Sequence, residues 1–313
     1  MTIDPKFIDQ FINVTSKAAL ASYHLIGKKD KIAADKAAVD SMRSELNLLN
    51  INGKIVIGEG ELDEAPMLYI GENVGTTNGP ELDIAVDPLE GTNFAANNLP
   101  GALSVIAIAE KDNLFNAPET YMEKISAKVS ETGIIDLDYS IKKNIFNLSE
   151  YLNKKPEFVT ACVMDRPRHK NIINELNNIG VNIKLISDGD VSGALLVTDD
   201  KYNVDIFLGI GGGPEGVLAS AAIDAFECFF QGRFLFDTEK DKNRANKMGI
   251  TNFTKKYELN EIVKGDSIFC ATGITSGDLV SGIKIENNEF ISETLVTHKS
   301  TGLKKIIKKV VNR

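Results

Sequence analysis

The sequence predicts an α/β protein in two parts, and three observations carry that prediction. From about residue 157 the chain alternates strand-length apolar runs with helical patterns: "FVTACVM", "RHKNIINELNNIG", "VNIKLIS", "DGDVSGALLVT". "VDIFLGI" followed by "GGGPEGVLASAAIDAF" repeats the step of strand, glycine loop and helix. Such alternation implies a mainly parallel or mixed sheet. In the first half, "ELDIAVDPL" and "SVIAIAEK" are apolar strands with little alternation, as in a sheet covered on both faces. A soft boundary falls at "NKKPE", which is polar and carries Pro156. It divides an N-terminal α+β part, residues 1–157, from a C-terminal α/β part, residues 158–313.

The elements follow in order. Residues 4–27 form an amphipathic helix, with Ile8, Phe11, Ile12, Ala19 and Leu20 at helical spacing. Residues 30–49 make a second helix, stopped by "NING" at 50–53. "KIVIGEGELDEAPML" reads as a strand over 54–57, a glycine turn, and a helix from about Asp63. "ELDIAVDPL" and its neighbour "SVIAIAEK" are the next strands, and the stretch over 116–145 is looser. After the alternating region, "DSIFCATGITSGDLVSGIKI" and "FISETLVTHKS" read as strands returning to the second sheet. "LKKIIKKVVNR" ends the chain as a solvated strand or helix.

Composition narrows the function. With 313 residues and 43% apolar content, the chain can bury a large core. A net charge of −9 argues against general nucleic-acid binding. No run approaches the ~18–20 apolar residues of a membrane span, and "MTIDPKFIDQFINVT" does not read as a signal peptide, so a cytoplasmic protein is expected. Cys162, Cys228 and Cys270 form no metal-ligand pattern and read as buried thiols. Only His24, His169 and His298 are available, so a metal here would rest on carboxylates, which suit Mg²⁺ or Mn²⁺ better than Zn²⁺.

Acids recur at strand ends, beside glycine turns or on a helix face. Asp35 lies within the second helix, Glu59 follows a strand, Asp87 and Glu90 flank "PL", and Glu215 follows three glycines and a proline. Each alone could be a helix-face charge or an N-cap. Together they are harder to explain without cations. "IVIGEGELDE" crowds Glu59, Glu61, Asp63 and Glu64 beside an apolar strand, where like charges raise one another's pKa. In "DPLEGT", Pro88 fixes a turn so that Asp87 and Glu90 face one region. Gly91 permits close backbone approach, and Thr92 offers a hydroxyl at a helix N-terminus, which favours phosphate. Metals, a phosphate cradle and a hydroxyl suit metal-assisted phosphoester hydrolysis.

"DPLEGT" resembles the Asp-Pro-Ile/Leu-Asp-Gly-Thr signature of the lithium-sensitive inositol monophosphatase superfamily, with Glu90 where most branches carry Asp. That departure, with "IVIGEGELDEAPMLYIGE" and "GIGGGPEG", is similar to the class II (GlpX-type) fructose-1,6-bisphosphatases, enzymes of gluconeogenesis and glycerol metabolism. The resemblance runs from "DKIAADKAAVD" through "CATGITSGDLVSGI". It implies an α-β-α-β-α sandwich of two tightly joined subdomains, with the active site between them. It places metal ligands at Asp35, Glu59, Asp87, Glu90 and Glu215, with the Leu89 carbonyl a further candidate. Substrate contacts fall on Glu90, Gly91, Thr92, Tyr121, Arg166, Pro167, Arg168, Asp188, Gly189, Asp190 and Gly212. Asp63 and Thr92 take the catalytic roles.

Read from the residues alone, Arg166 and Arg168 suit phosphate or form a surface charge pair. "DGD" offers acceptors to sugar hydroxyls or is a plain turn with an N-cap, and Tyr121 is a half-buried core tyrosine. The expected reaction is removal of the 1-phosphate of fructose 1,6-bisphosphate, with two or three Mg²⁺ or Mn²⁺ ions. Sedoheptulose 1,7-bisphosphate and inositol phosphates are the rival substrates. Family habit adds a homo-oligomer, dimer or tetramer. "GIGGGPEG" could be taken for a dinucleotide loop, but Pro214 and Glu215 stand where the pyrophosphate would approach.

Overall fold

A computed structural model describes residues 2–59 and 67–311. It divides into two compact units, Met1–Ala117 with Ile262–Arg313, and Pro118–Glu261. The expected boundary near 157 thus lies inside the second unit, and the C-terminal segment belongs to the first.

In the first unit, α1 (Phe7–Tyr23) buries Phe7, Phe11, Ile12, Val14, Ala18, Ala19 and Leu20. It stops short of the predicted end because Gly27 and Lys29 leave the helical path. Their N–H groups donate to the Ala95 and Ala96 carbonyls, each at 2.9 Å. Asp30 caps α2 (Lys31–Asn47), accepting the Ala33 N–H at 2.9 Å. The stop signal "NING" overlaps the next strand, since Asn52 and Gly53 already belong to β1 (Asn52–Ile57). β2 (Asn73–Val74), β3 (Glu81–Glu90), α3 (Thr92–Asn97) and β4 (Leu103–Glu110) follow. β1 runs parallel to β3, and β4 antiparallel to it. Asp83 is buried and accepts the Asn113 and Leu114 N–H groups at 2.9 and 3.2 Å, tying down the turn after β4.

The second unit contains β5 (Tyr121–Ala127), α4 (Ile141–Tyr151), β6 (Thr160–Met164), α5 (Lys170–Ile179), β7 (Asn182–Ile186) and α6 (Asp190–Leu195). It continues through β8 (Ile206–Gly212), α7 (Gly213–Ala225), β9 (Phe229–Leu235), α8 (Glu239–Lys247) and β10 (Lys256–Glu258). Its sheet order is β10-β9-β5-β8-β6-β7. β6 is parallel to β7 and β8, whereas β5 is antiparallel to β8 and β9, so the sheet is mixed as expected. Period-two alternation separates its faces. Ile125, Ala161 and Leu208 share a core with Ile145 and Leu148 of α4 and Leu176 of α5. On the opposite face Ser126 donates to the Ala194 carbonyl of α6 at 3.2 Å, and Met122 lies against Gly216 of α7.

The chain then returns to the first sheet as β11 (Ser267–Gly273), β12 (Lys284–Glu286), β13 (Glu289–His298) and β14 (Leu303–Val311). This corrects the assignment to the second sheet. β11 is buried at all seven positions and fills the slot between β4 and β13. Apolar patterning demands such a central place but does not say in which sheet. β14 pairs with β13, and its four lysines suit an edge strand by discouraging further pairing. All three cysteines are buried. A helix-backed sheet and a sheet covered by helices on both faces give the mixed α/β layers the sequence predicts. Among the described residues no helix is long and apolar enough to cross a membrane.

Candidate active site

β1 and β3 are parallel and pair Ile57 with Ala85. Glu59 lies two residues past the end of β1, where its N–H donates to the Leu68 carbonyl at 2.9 Å, and Asp87 lies within β3. Between β3 and β4, Asp87 pairs with Val105 and Glu90 with Leu103, so β3 carries one extra residue. "DPLE" is therefore a β-bulge within β3, not the expected turn, and Gly91 and Thr92 follow the strand. Pro88, which has no N–H for the ladder, sits where pairing is interrupted. Bulges re-aim side chains, and this one ends at Glu90, which is 5% exposed.

Gly91 follows with φ 77°, a left-handed conformation that glycine adopts without penalty. Its carbonyl accepts the Phe94 N–H at 2.8 Å, which turns the chain into α3 and puts Thr92 at the first helical position. α2 packs against β3 and α3. On it, Asp35 is half-buried with no partner among the described residues, and burial raises its pKa. Asp63, with Glu61 and Glu64, lies outside the described residues.

In the second unit the predicted substrate residues form a connected group. The Arg168 guanidinium lies 4.9 Å from the Tyr121 ring centroid, and its Nε donates to the Ile210 carbonyl at 2.8 Å. Tyr121 is 47% exposed, so it is no core tyrosine. Arg166 donates to Asp188 at 3.3 Å. Pro167 opens the short turn that carries both arginines, and Gly189, at φ 84°, precedes α6. Tyr121 pairs across the sheet with Gly212, where β8 meets α7 and Glu215 lies in the first turn.

Two glycines here are demanded by neighbouring carboxylates. A Cβ on Gly211 would lie 1.9 Å from Asp190 Oδ2, and one on Gly212 would lie 1.8 Å from Glu215 Oε2. Burial, chiefly, raises the Glu215 pKa; Lys124 opposes this, while Asp190 and Asp188 add to it.

Sequence reasoning missed two residues. His169 is fully buried and lies 2.7 Å through Nδ1 from the Met164 carbonyl. Its Nε2 accepts the Ile210 N–H at 2.8 Å, so Nδ1 carries the proton, and burial lowers its pKa. The neutral ring anchors the arginine turn to β8. Lys124 is 1% exposed and reaches Asp190 and the Gly212 carbonyl. A lone histidine beside arginines and one lysine in a strand give no distinctive pattern.

Among the described residues no three Asp, Glu, His or Cys side chains are gathered into a ready metal cluster. The chemistry of the expected donors still fits a divalent ion: they are oxygens, and burial raises the pKa of Asp35 in the first unit and of Glu215 in the second, which a cation beside either would relieve.

The first unit thus carries acids at and beyond the ends of β1 and β3, and the second an arginine stacked on an exposed tyrosine. Residues 6–311 match the family described as bacterial fructose-1,6-bisphosphatase, glpX-encoded, and the chain belongs to these class II fructose-1,6-bisphosphatases. It is 43% identical over 298 residues to D-fructose 1,6-bisphosphatase class 2/sedoheptulose 1,7-bisphosphatase of Synechococcus sp. (strain CC9902), covering 91% of this chain and 89% of that one. The protein of the same name from Prochlorococcus marinus (strain MIT 9301) is 42% identical over 303 residues, covering 92% and 91%. An inositol monophosphatase structure from Anabaena (Nostoc) sp. PCC 7120 covers 62% of this chain and 71% of its own, at 12% identity and a TM-score of 0.31. So slight a likeness leaves the fold description to the topology itself. Membership of the family implies dependence on a divalent metal.

Proposed function

We propose that the enzyme removes the 1-phosphate of D-fructose 1,6-bisphosphate, giving D-fructose 6-phosphate and phosphate. Asp35, Glu59, Asp87, Glu90 and Glu215, with the Leu89 carbonyl, would hold two or three Mg²⁺ or Mn²⁺ ions. When bound, such ions neutralise phosphate charge and make a water acidic enough to attack phosphorus. The Thr92 hydroxyl orients that water and Asp63 accepts its proton, while the Gly91 backbone approaches the scissile phosphate. In-line attack breaks the P–O bond to C1, and the sugar oxygen leaves. Asp188, Gly189, Asp190 and Gly212 receive the sugar, and Tyr121, Arg166, Pro167 and Arg168 the distal phosphate.

One observation carries the distal-phosphate assignment. Arg168 is fixed by its stack on Tyr121 and its Nε bond to Ile210, yet its terminal nitrogens have no partner among the described residues. A planar guanidinium held this way suits a phosphate dianion.

A second reading is sedoheptulose 1,7-bisphosphate, because the relatives' names carry both activities. Phosphate release from a panel of sugar bisphosphates, compared by kcat/KM with Mg²⁺ or Mn²⁺, tests both. Fructose 1,6-bisphosphate should lead the panel; an inositol monophosphate turned over faster would overturn the reading. The family also supports a cytoplasmic homo-oligomer, dimer or tetramer, acting on a small sugar phosphate.

A further inference from the structure

The turn between β6 and α5 docks on β8 beyond the end of the ladder that joins the two strands. That ladder pairs Ala161 with Ile206 and Cys162 with Phe207 and ends before Ile210. Ile210 stands opposite Glu123 of β5 and turns both of its backbone polar groups to the other side. Two consecutive side chains meet them there. The Ile210 N–H donates to His169 Nε2 at 2.8 Å, and the Ile210 carbonyl accepts Arg168 Nε at 2.8 Å.

The imidazole is fully buried, and its other nitrogen, Nδ1, donates to the Met164 carbonyl at 2.7 Å. That carbonyl also accepts the Arg166 N–H at 2.9 Å, and the Arg166 carbonyl accepts the His169 N–H at 2.9 Å, so the turn is closed on itself. With its proton on Nδ1, the ring has none on Nε2 to offer the Ile210 carbonyl 3.1 Å away, and that oxygen is left to Arg168. Arg168 itself is exposed, with its guanidinium over the Tyr121 ring. An arginine already held in this way loses little rotamer freedom on binding, which strengthens its grip on an anion.

We propose that His169 is a positioning residue for the distal phosphate. Its Nε2 holds the Ile210 N–H and so fixes the turn on β8 in the register that lets Arg168 Nε reach the Ile210 carbonyl. The terminal nitrogens of Arg168 are thereby placed before the substrate arrives. This rests on the fructose bisphosphatase reading above and adds how its arginine is held. The acceptor at Nε2 is what the role requires. A side chain that offers an acceptor there keeps the function, and one that fills the space without an acceptor loses it.

The test compares H169F, H169N and H169Q with R168A and R168A/H169F. Phosphate release is measured from fructose 1,6-bisphosphate and from fructose 1-phosphate at saturating divalent ion. Phenylalanine offers no acceptor, asparagine reaches Met164 but stops short of Ile210, and glutamine can set its amide oxygen near the place of Nε2. H169F and H169N should raise KM for the bisphosphate about 10-fold, part of the value of a hydrogen bond to a charged group, with kcat changed less than about threefold. KM for the monophosphate should change less than about twofold, and H169Q should stay within about threefold of wild type on both substrates. Adding H169F to R168A should raise KM less than about twofold further, because His169 acts through Arg168. Equal losses on the two substrates, multiplicative effects with R168A, or H169Q as impaired as H169N would overturn the proposal. If H169F does not fold, H169N and H169Q carry the comparison. Wild-type enzyme silent on fructose 1,6-bisphosphate would instead refute the functional reading. An active wild type that needs Arg168 but not His169 refutes only the role of His169.

Discussion

Arg168→Ala removes a side chain whose two fixed contacts are known, so its effect can be worked out. The stack on Tyr121 at 4.9 Å is an exposed cation–π contact, about 0.5–1 kcal/mol. Charge-assisted hydrogen bonds to a phosphate add about 1.5–3 kcal/mol. The stack is made with or without substrate and cancels, so at about 1.4 kcal/mol per decade the phosphate bonds alone set the drop in kcat/KM at roughly 10- to 150-fold. Most of the loss should appear in KM, since Arg168 contacts the non-reacting end of the substrate. Phosphate-release kinetics should therefore compare fructose 1,6-bisphosphate with fructose 1-phosphate, which lacks the distal group. The variant should lose its large factor on the bisphosphate and less than about fivefold on the monophosphate. Equal losses on both would show that Arg168 does not hold the distal phosphate.

Three further outcomes follow. Gly91→Ala must place an alanine at φ 77° and a methyl 3.0 Å from the Phe94 ring. Denaturant unfolding should record a loss of about 1–2 kcal/mol, and turnover should fall more than about tenfold as Thr92 moves. Asp83→Ala leaves the buried Leu114 N–H unmet, while the Asn113 N–H keeps the Glu110 carbonyl at 3.1 Å, so urea unfolding should show about 1–3 kcal/mol lost while kcat stays within about twofold. Asp35 should behave in the opposite way. Its pKa is raised in the fold, so without metal its ionisation destabilises the chain, and stability falls as pH climbs from about 3.9 through the folded value. Asp35→Asn should therefore raise the melting temperature in EDTA near neutral pH while sharply reducing metal-dependent turnover.

Much of this architecture was legible in the chain. The 3.6-residue spacing of Phe11, Ile12, Ala19 and Leu20 located α1, and the glycine loop before Glu215 located the passage from β8 to α7. Other features depend on tertiary partners that a local pattern does not name. Continuous burial marks β11 as central, but its pairing with β4 is settled across more than 150 residues of intervening chain. Pro88 signals an interrupted ladder, and only the register with β4 distinguishes a bulge from a turn. Lys124 resembles any strand lysine until α6 brings Asp190 over it. The motif residues stand out in the chain because their chemistry is specific; the residues packed around them have ordinary types and acquire meaning from the fold.

The proposed reaction removes one phosphate from fructose 1,6-bisphosphate and depends on a divalent metal. Phosphorus NMR of the wild-type reaction, with Mn²⁺ or Mg²⁺ and then with excess EDTA, tests it most directly. The predicted result is loss of the 1-phosphate signal, retention of the 6-phosphate, growth of inorganic phosphate, and arrest on chelation. Release that continues in EDTA, or loss of the 6-phosphate first, would contradict the account.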